Sequence, residues 1–285
     1  MADSTASTDS DAGRVGVVTG AGAGIGRETL RGLARLGFTV ALVVRSQERG
    51  RAAMEDVMRT DPGADLRLVL CDLSRQADVR RAAAEILDRF SAVHVLVNDA
   101  AAYTRRRVLT EDGVEMQLAV NHLAPYLLTR LLLGRLTASA PARVVTVSSA
   151  GHERGRVPWD DLDGTRRYRG FQRYCDTKLM NLLFTRELAR RTANTGVTTN
   201  AMHPGVVGTE LLFGGFTPLR LFRRWMRTPA EGARTAIHLA AAPDVEGVTG
   251  RYFIDERPAE PAPHALDAAG AARLWDVSAR LVGLD

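Results

Sequence analysis

A tyrosine and a lysine four residues apart, Tyr174 and Lys178, are the side chains in this sequence best suited to handling a proton. Residues i and i+4 share one face of a helix, so an ammonium can stand beside a phenol. A nearby cation favours phenolate and lowers a reference pKa of about 10. The tyrosine could then give and take protons near neutrality. The lysine is singular. Lys and Arg together number 38, and Lys178 is the one Lys among them. Lys is a compact charge on a flexible stem, whereas Arg is a wide planar fork. A chain that uses arginine everywhere else has an ammonium at this point only, within Tyr174-Cys175-Asp176-Thr177-Lys178.

A second chemical signal lies near the start. An apolar run leads into Thr19-Gly20-Ala21-Gly22-Ala23-Gly24-Ile25-Gly26, followed by a helical pattern. Glycines there let the backbone turn tightly and approach a pyrophosphate, which the helix N-terminus stabilises. The G-x-G-x-x-G spacing does not fit; glycine at 20, 24 and 26 with Thr19 before the first does. A dinucleotide is therefore the expected ligand. The second predicted strand ends Val43-Val44-Arg45-Ser46, without the acid that grips an NAD ribose. Arg45 can instead pair with a 2′-phosphate, so NADP(H) is preferred and NAD(H) is the alternative. Asp72 and Leu73, after the third strand, are placed to meet the adenine.

The elements that must position these groups follow from periodicity. Predicted strands are Arg14–Thr19, Thr39–Val44, Leu66–Cys71, His94–Val97, Arg143–Val147, Thr198–Met202 and Arg251–Ile254. Amphipathic stretches near 25–36, 47–59, 76–90, 111–137, 171–193 and 229–241 lie between them. Strands alternating with helices predict βαβ units. The apolar early strands predict a sheet covered on both faces. The expected fold class is α/β: a single-domain, Rossmann-type, doubly wound parallel sheet flanked by helices. Two segments break the alternation, 151–170 and the apolar 211–226, and both are expected to border the site. The Pro-rich piece 258–263 reads as a linker into a last helix near 265–282.

Composition excludes several classes. Apolar content of 45% and charged content of 25% are those of a soluble globular protein. The net charge of +5 is modest, and the arginines are interleaved with acids, as in Arg186-Glu187-Leu188-Ala189-Arg190. They read as solvated helix faces, not a nucleic-acid footprint. No stretch reaches the roughly 18 unbroken apolar residues of a membrane span. Cys71 and Cys175 lack metal-ligand spacing and suggest no disulfide framework, so a reducing cytoplasm is expected. Residues 1–13 are small and acidic and read as a disordered tail, leaving 14–285 as the domain.

Taken in order, these pieces resemble the short-chain dehydrogenase/reductase family. Thr19–Gly26 looks like its TGxxxGxG loop and Tyr174–Lys178 like its YxxxK pair. Val147-Ser148-Ser149 ends strand five, where the family has its catalytic serine. His203-Pro204-Gly205, with Val207 and Thr209 following, resembles the motif beside the nicotinamide. The stretches around Asn121, Tyr168–Phe171, Leu183–Ala189 and Arg273-Leu274-Trp275 resemble the retinol dehydrogenase-like branch. The resemblance implies a catalytic set of Asn121, Ser149, Tyr174 and Lys178. Tyr174 would be the acid or base, and Ser149 would hold the substrate oxygen. Lys178 would bind the nicotinamide ribose and lower the Tyr174 pKa. Asn121 would hold a water linking Lys178 to solvent. Ser148 and Ser149 are equally able to cap backbone, and the choice of Ser149 comes from the family pattern. Asn98 and Ala100 would line the cofactor. Where the family has Asn-Asn-Ala-Gly, this chain has Asn98-Asp99-Ala100-Ala101, a departure expected to tune cofactor binding.

The expected activity is therefore NADP(H)-dependent interconversion of a carbonyl and an alcohol on a lipophilic small molecule. A homo-oligomer, dimer or tetramer, is consistent with the family. The rival readings are a ketoreductase tailoring a polyketide or other secondary metabolite, and an NADP(H)-sensing regulator without turnover. The Tyr-Lys pair behind a serine argues against the sensor.

Overall fold

A computed structural model describes residues 13–208 and 226–284. Eight strands form one sheet in the order β3-β2-β1-β4-β5-β6-β7-β8. They are β1 Val15–Thr19, β2 Thr39–Val44, β3 Leu66–Leu70, β4 Val95–Asn98, β5 Ala142–Val147, β6 Val197–His203, β7 Tyr252–Ile254 and β8 Arg257–Ala259. Every pairing is parallel except β7 with β8. The helices are α1 Gly24–Arg35, α2 Gln47–Thr60, α3 Gln76–Arg89, α5 Gly170–Arg191, α6 Pro229–Ala241 and α7 Ala268–Leu281. Between α3 and α5 lies the composite α4: Met116–Leu118, a π turn at Ala119–Leu123, then Ala124–Ala138. The expected doubly wound sheet is what the chain forms. Its strand order reverses between β1 and β4, and in such sheets ligands bind at that switch, beyond the carboxyl ends of the strands.

Both faces of the sheet are dry. Because successive strand residues point to opposite faces, Val17, Ala41, Val43 and Leu96 pack with residues of α3, α4, α5 and α7. Val18, Val40, Leu42 and Val97 pack with residues of α1, α2 and α6. That double burial is why the strands read as continuous apolar runs. No helix among the described residues is long and apolar enough to cross a membrane.

Two expectations need correction. The linker expected from 258 instead begins inside β8, an antiparallel edge strand paired Ile254↔Arg257 and Phe253↔Pro258. Asp255 and Glu256 both take positive φ, 53° and 63°, the conformation of a tight two-residue hairpin turn. Proline is tolerated on an edge, where its missing N–H breaks no ladder. The helix expected from 111 starts at Met116, because 109–115 closes a turn through a Leu109↔Glu115 bridge. Apart from Met226, the 211–226 segment lies outside the described residues.

Candidate active site

The glycine loop between β1 and α1 is shaped by two close approaches. Gly20 has φ +71°, and a Cβ there would stand 2.9 Å from the Ala100 Cα. A Cβ on Gly26 would stand 2.5 Å from the Gly20 carbonyl and 2.7 Å from Asp99 Oδ2. Only glycine allows the loop to fold against itself and against the segment after β4. Thr19 secures the same junction: its buried Oγ1 accepts from the amides of Asp99 (3.1 Å) and Ala100 (3.2 Å). The residues at the start of α1 do not cap it themselves. Its N-cap is Ala23, with no side-chain cap bond and no acid in the first turn. The amides of Gly24 and Ile25 thus end a 12-residue helix whose positive pole suits an anion.

The tyrosine and lysine expected to handle a proton lie at the carboxyl end of β5. Lys178 is 2% exposed, and its Nζ donates to the Val147 carbonyl at 2.9 Å. The ammonium lies 5.5 Å from the centre of the Tyr174 ring. The pair therefore shares one helix face, as its spacing predicts. The structure separates the two serines. Ser148 is buried, with Oγ donating to the Lys178 carbonyl at 2.7 Å. Ser149 turns the other way and hydrogen-bonds the Tyr174 phenol. It also caps a short 3₁₀ turn, Ala150–Arg154, by accepting from the Gly151 amide at 3.1 Å.

The electrostatics differ from the expectation in one respect. Burial pushes the Tyr174 phenol up to about 12; Ser149 pulls it back, and Cys175 and Asp99 add to the rise. Lys178, its ammonium bonded to Val147 and itself lowered to about 8 by burial with Asp99 opposing, does not bring the phenol below its ordinary value. Desolvation outweighs the cation here.

Asn121 lies in the π turn of α4, a common position for functional groups. Its side-chain amide is committed: Oδ1 accepts from the Ala102 amide at 2.6 Å, and Nδ2 donates to the Ala102 carbonyl and to Thr177 Oγ1. Both amide hydrogens and one acceptor position are thus taken, which leaves one Oδ1 lone pair and the backbone carbonyl for a water. Pro125, four residues on, has no N–H, which denies the Asn121 carbonyl its usual helical donor.

The loop after β4 carries a residue that the sequence did not flag. Tyr103 lies edge-on to Tyr174, with ring centroids 6.3 Å apart at 68°. Neither periodicity nor a motif marks it. The loop is held by α4 and by segment 151–170, which does border the site. Gln117 Nε2 donates to the Thr104 and Gly170 carbonyls, and Thr104 Oγ1 lies 2.7 Å from Tyr168 Oη. Below it, fully buried Glu115 pairs with Arg173 at 3.0 Å and accepts from Tyr168 Oη and from the amides of Gln117 and Leu118. Removing one partner of a buried pair strands the other charge. Glu115→Gln should therefore cost about 3 kcal/mol in urea unfolding; a loss under about 0.5 kcal/mol would mean that the network contributes little.

The remaining predicted residues have mixed placements. Arg45 is exposed just past β2, and a Cβ on Gly22 would stand 3.6 Å from the Arg49 Cβ. A second arginine, which the sequence reading missed, therefore borders the loop one turn into α2. Asp72 Oδ1 accepts from the Ser74 amide and hydroxyl, so that oxygen shapes a turn; Leu73 is half-buried beside it. Asn98 is buried, and its Nδ2 donates to Thr129 Oγ1, on the α4 side. Pro204 follows β6, Gly205 turns at φ +81° beside the Arg227 guanidinium, and Val207 and Ile25 both pack close to Gly232 of α6. Thr209 lies outside the described residues. His152 links the Ser149 carbonyl to the Ala262 amide, a structural clamp.

Residues 14–214 match the family profile described as short chain dehydrogenase. Retinol dehydrogenase 12 of Bos taurus is 42% identical over 275 residues, covering 95% of this chain and 87% of that protein. An uncharacterised protein from Mycobacterium paratuberculosis superposes with a TM-score of 0.77 at 34% identity, covering 95% of this chain and 93% of that one. A protein from Beutenbergia cavernae named as an NAD(P)-dependent gluconate 5-dehydrogenase, solved with NADP at low occupancy, superposes with a TM-score of 0.69 at 26% identity, covering 85% of this chain and 94% of that one.

Proposed function

This chain belongs to the short-chain dehydrogenase family, and on that premise we propose that it interconverts a lipophilic carbonyl compound and its alcohol, with NADP(H) as the hydride carrier and Tyr174 as the proton donor and acceptor. The observation that carries this reading is the meeting of Ser149, Tyr174 and Lys178 at the end of β5, near the N-terminus of α1.

The residues present fit a nicotinamide dinucleotide. Gly20 and Gly26 leave a cradle that a Cβ would fill, and α1 offers uncapped amides at Gly24 and Ile25. Those groups would hold the pyrophosphate. Arg45 and Arg49 would hold a 2′-phosphate. Asp72 and Leu73 would border the adenine, and the backbone at Asn98 and Ala100 the adjoining ribose. Lys178 would hold the second ribose. Pro204, Gly205, Val207 and Thr209 would border the nicotinamide. When bound, the cofactor supplies or accepts the hydride.

The protein's own groups then place the substrate and move the proton. Ser149 holds the substrate oxygen beside the phenol, an orientation effect. Tyr174 protonates that oxygen in reduction and removes its proton in oxidation. A phenol pushed up to about 12 stays protonated at neutral pH, which favours the reductive role. Lys178 returns the proton through a water at the Asn121 carbonyl, the group that Pro125 leaves short of a donor. The aromatic wall at Tyr103 favours an apolar substrate, as does the similarity to retinol dehydrogenases. A cytoplasmic location fits the two cysteines, both free and buried.

Two measurements test this. Retinaldehyde and a panel of bulky ketones should oxidise NADPH in the presence of the protein; turnover confined to small polar carbonyls would overturn the lipophilic assignment. Arg45→Asp should lower kcat/KM for NADPH by roughly tenfold to hundredfold more than for NADH, the scale of a lost charge-assisted hydrogen bond. Equal losses would remove the basis for preferring NADP(H).

A further inference from the structure

The segment after β4 places a carboxyl where this fold would receive an anion. Asp99 is anchored through its amide to Thr19 Oγ1 at 3.1 Å. Its side chain reaches back across the switch point and accepts from the Gly26 amide. Its Oδ2 lies 2.7 Å from where a Gly26 Cβ would stand. No residue of α1 supplies a cap or a first-turn acid, so this carboxyl from the segment after β4 answers the positive end of the helix.

We propose that Asp99 makes dinucleotide binding proton-linked: its carboxylate competes with the anionic groups of the cofactor for the amide end of α1, and binding is completed by a proton taken up on Asp99. The inference rests on the reading of this cleft as the nicotinamide dinucleotide site.

The groups around Asp99 set the sign. Lys178 and Tyr174, both on α5, are in electrostatic contact with it. From β1 it meets the neutral Thr19 hydroxyl, and from α1 the Gly26 amide. Burial holds the carboxyl up to about 7, with Lys178 and the Gly26 amide pulling it down. The free protein is thus divided between the two forms near neutrality. A pyrophosphate at the same helix end brings further negative charge, which raises a neighbouring carboxyl still more. The complex therefore keeps Asp99 protonated, and affinity falls as pH rises through the free-state value. An asparagine cannot titrate, yet it can still hydrogen-bond at the helix end.

Calorimetric titration of the wild-type protein at about pH 7.5, in buffers of different ionisation enthalpy, should show uptake of a substantial fraction of a proton with NADPH and with NADH alike. The Kd should weaken by roughly tenfold between about pH 6.5 and 8.5. In Asp99→Asn the uptake should fall to a minor part of the wild-type value, and affinity at the alkaline end should exceed wild type. Lys178 is coupled to Asp99 and also loses its charge in this range, so the uptake left in Asp99→Asn measures the Lys178 share and the drop from wild type measures Asp99. Absence of uptake in the wild type overturns the inference without recourse to a variant, as does uptake that is undiminished in a folded Asp99→Asn protein. Uptake with NADH while NADPH binds no better would remove the NADP(H) preference and leave Asp99 standing. Failure of both dinucleotides to bind would remove the cofactor reading and this inference with it.

Discussion

Replacing Tyr174 by phenylalanine should lower kcat for carbonyl reduction by about a thousandfold, within the range that general acid–base groups supply, while the Kd for NADPH moves by less than about threefold. The ring packs against Tyr103, and phenylalanine preserves that contact, so the loss isolates the hydroxyl. Wild-type pH profiles should carry the same signature. A phenol raised to about 12 by burial stays protonated through neutrality. Tyr174 then imposes no fall on the reductive rate as pH rises across that range. Oxidation needs the phenolate, whose fraction grows about tenfold per pH unit below the pKa, so the oxidative rate should climb with pH. Unchanged turnover in Tyr174→Phe, measured by NADPH absorbance under saturating substrate, would falsify the assignment of the proton donor.

Lys178→Arg keeps the charge and should nonetheless cost about a hundredfold in kcat/KM and weaken dinucleotide binding about tenfold. The ammonium occupies a buried space bounded by the Val147 carbonyl, the Tyr174 ring and the field of Asp99. A guanidinium is wider, and its planar fork cannot reproduce a single short bond to one carbonyl while facing a ribose. It also cannot release its proton, whereas burial lowers Lys178 to about 8, within range of a relay. Fluorescence titration of NADPH with steady-state kinetics separates the two losses. Near-normal values for both would make the single lysine of this chain a compositional accident.

Much of this was legible in the sequence because it depends on local rules. Strand runs and amphipathic stretches follow side-chain periodicity, and seven of the eight observed strands lie where the apolar runs predict them. The Tyr174–Lys178 pair needs only one helical turn, and the loop at 20–26 needs only glycines between a strand and a helix. β8 escaped because Pro258 reads as a breaker until its edge position is known.

What the sequence determined by itself was the α/β alternation, the glycine loop between β1 and α1 and the sharing of one helix face by Tyr174 and Lys178, since each is set within a few residues by backbone geometry. Tertiary structure decided which serine faces the phenol, why the Asn121 amide is occupied by Ala102, that Tyr103 walls the site, and that Asp99 lies against Gly26. It also reversed the expected shift of Tyr174, because a pKa in a cleft depends on the water removed by every packed element as well as on the one charge a turn away. Each of these joins segments far apart in the chain. Such contacts exist only once the sheet has brought the ends of β1, β4 and β5 together.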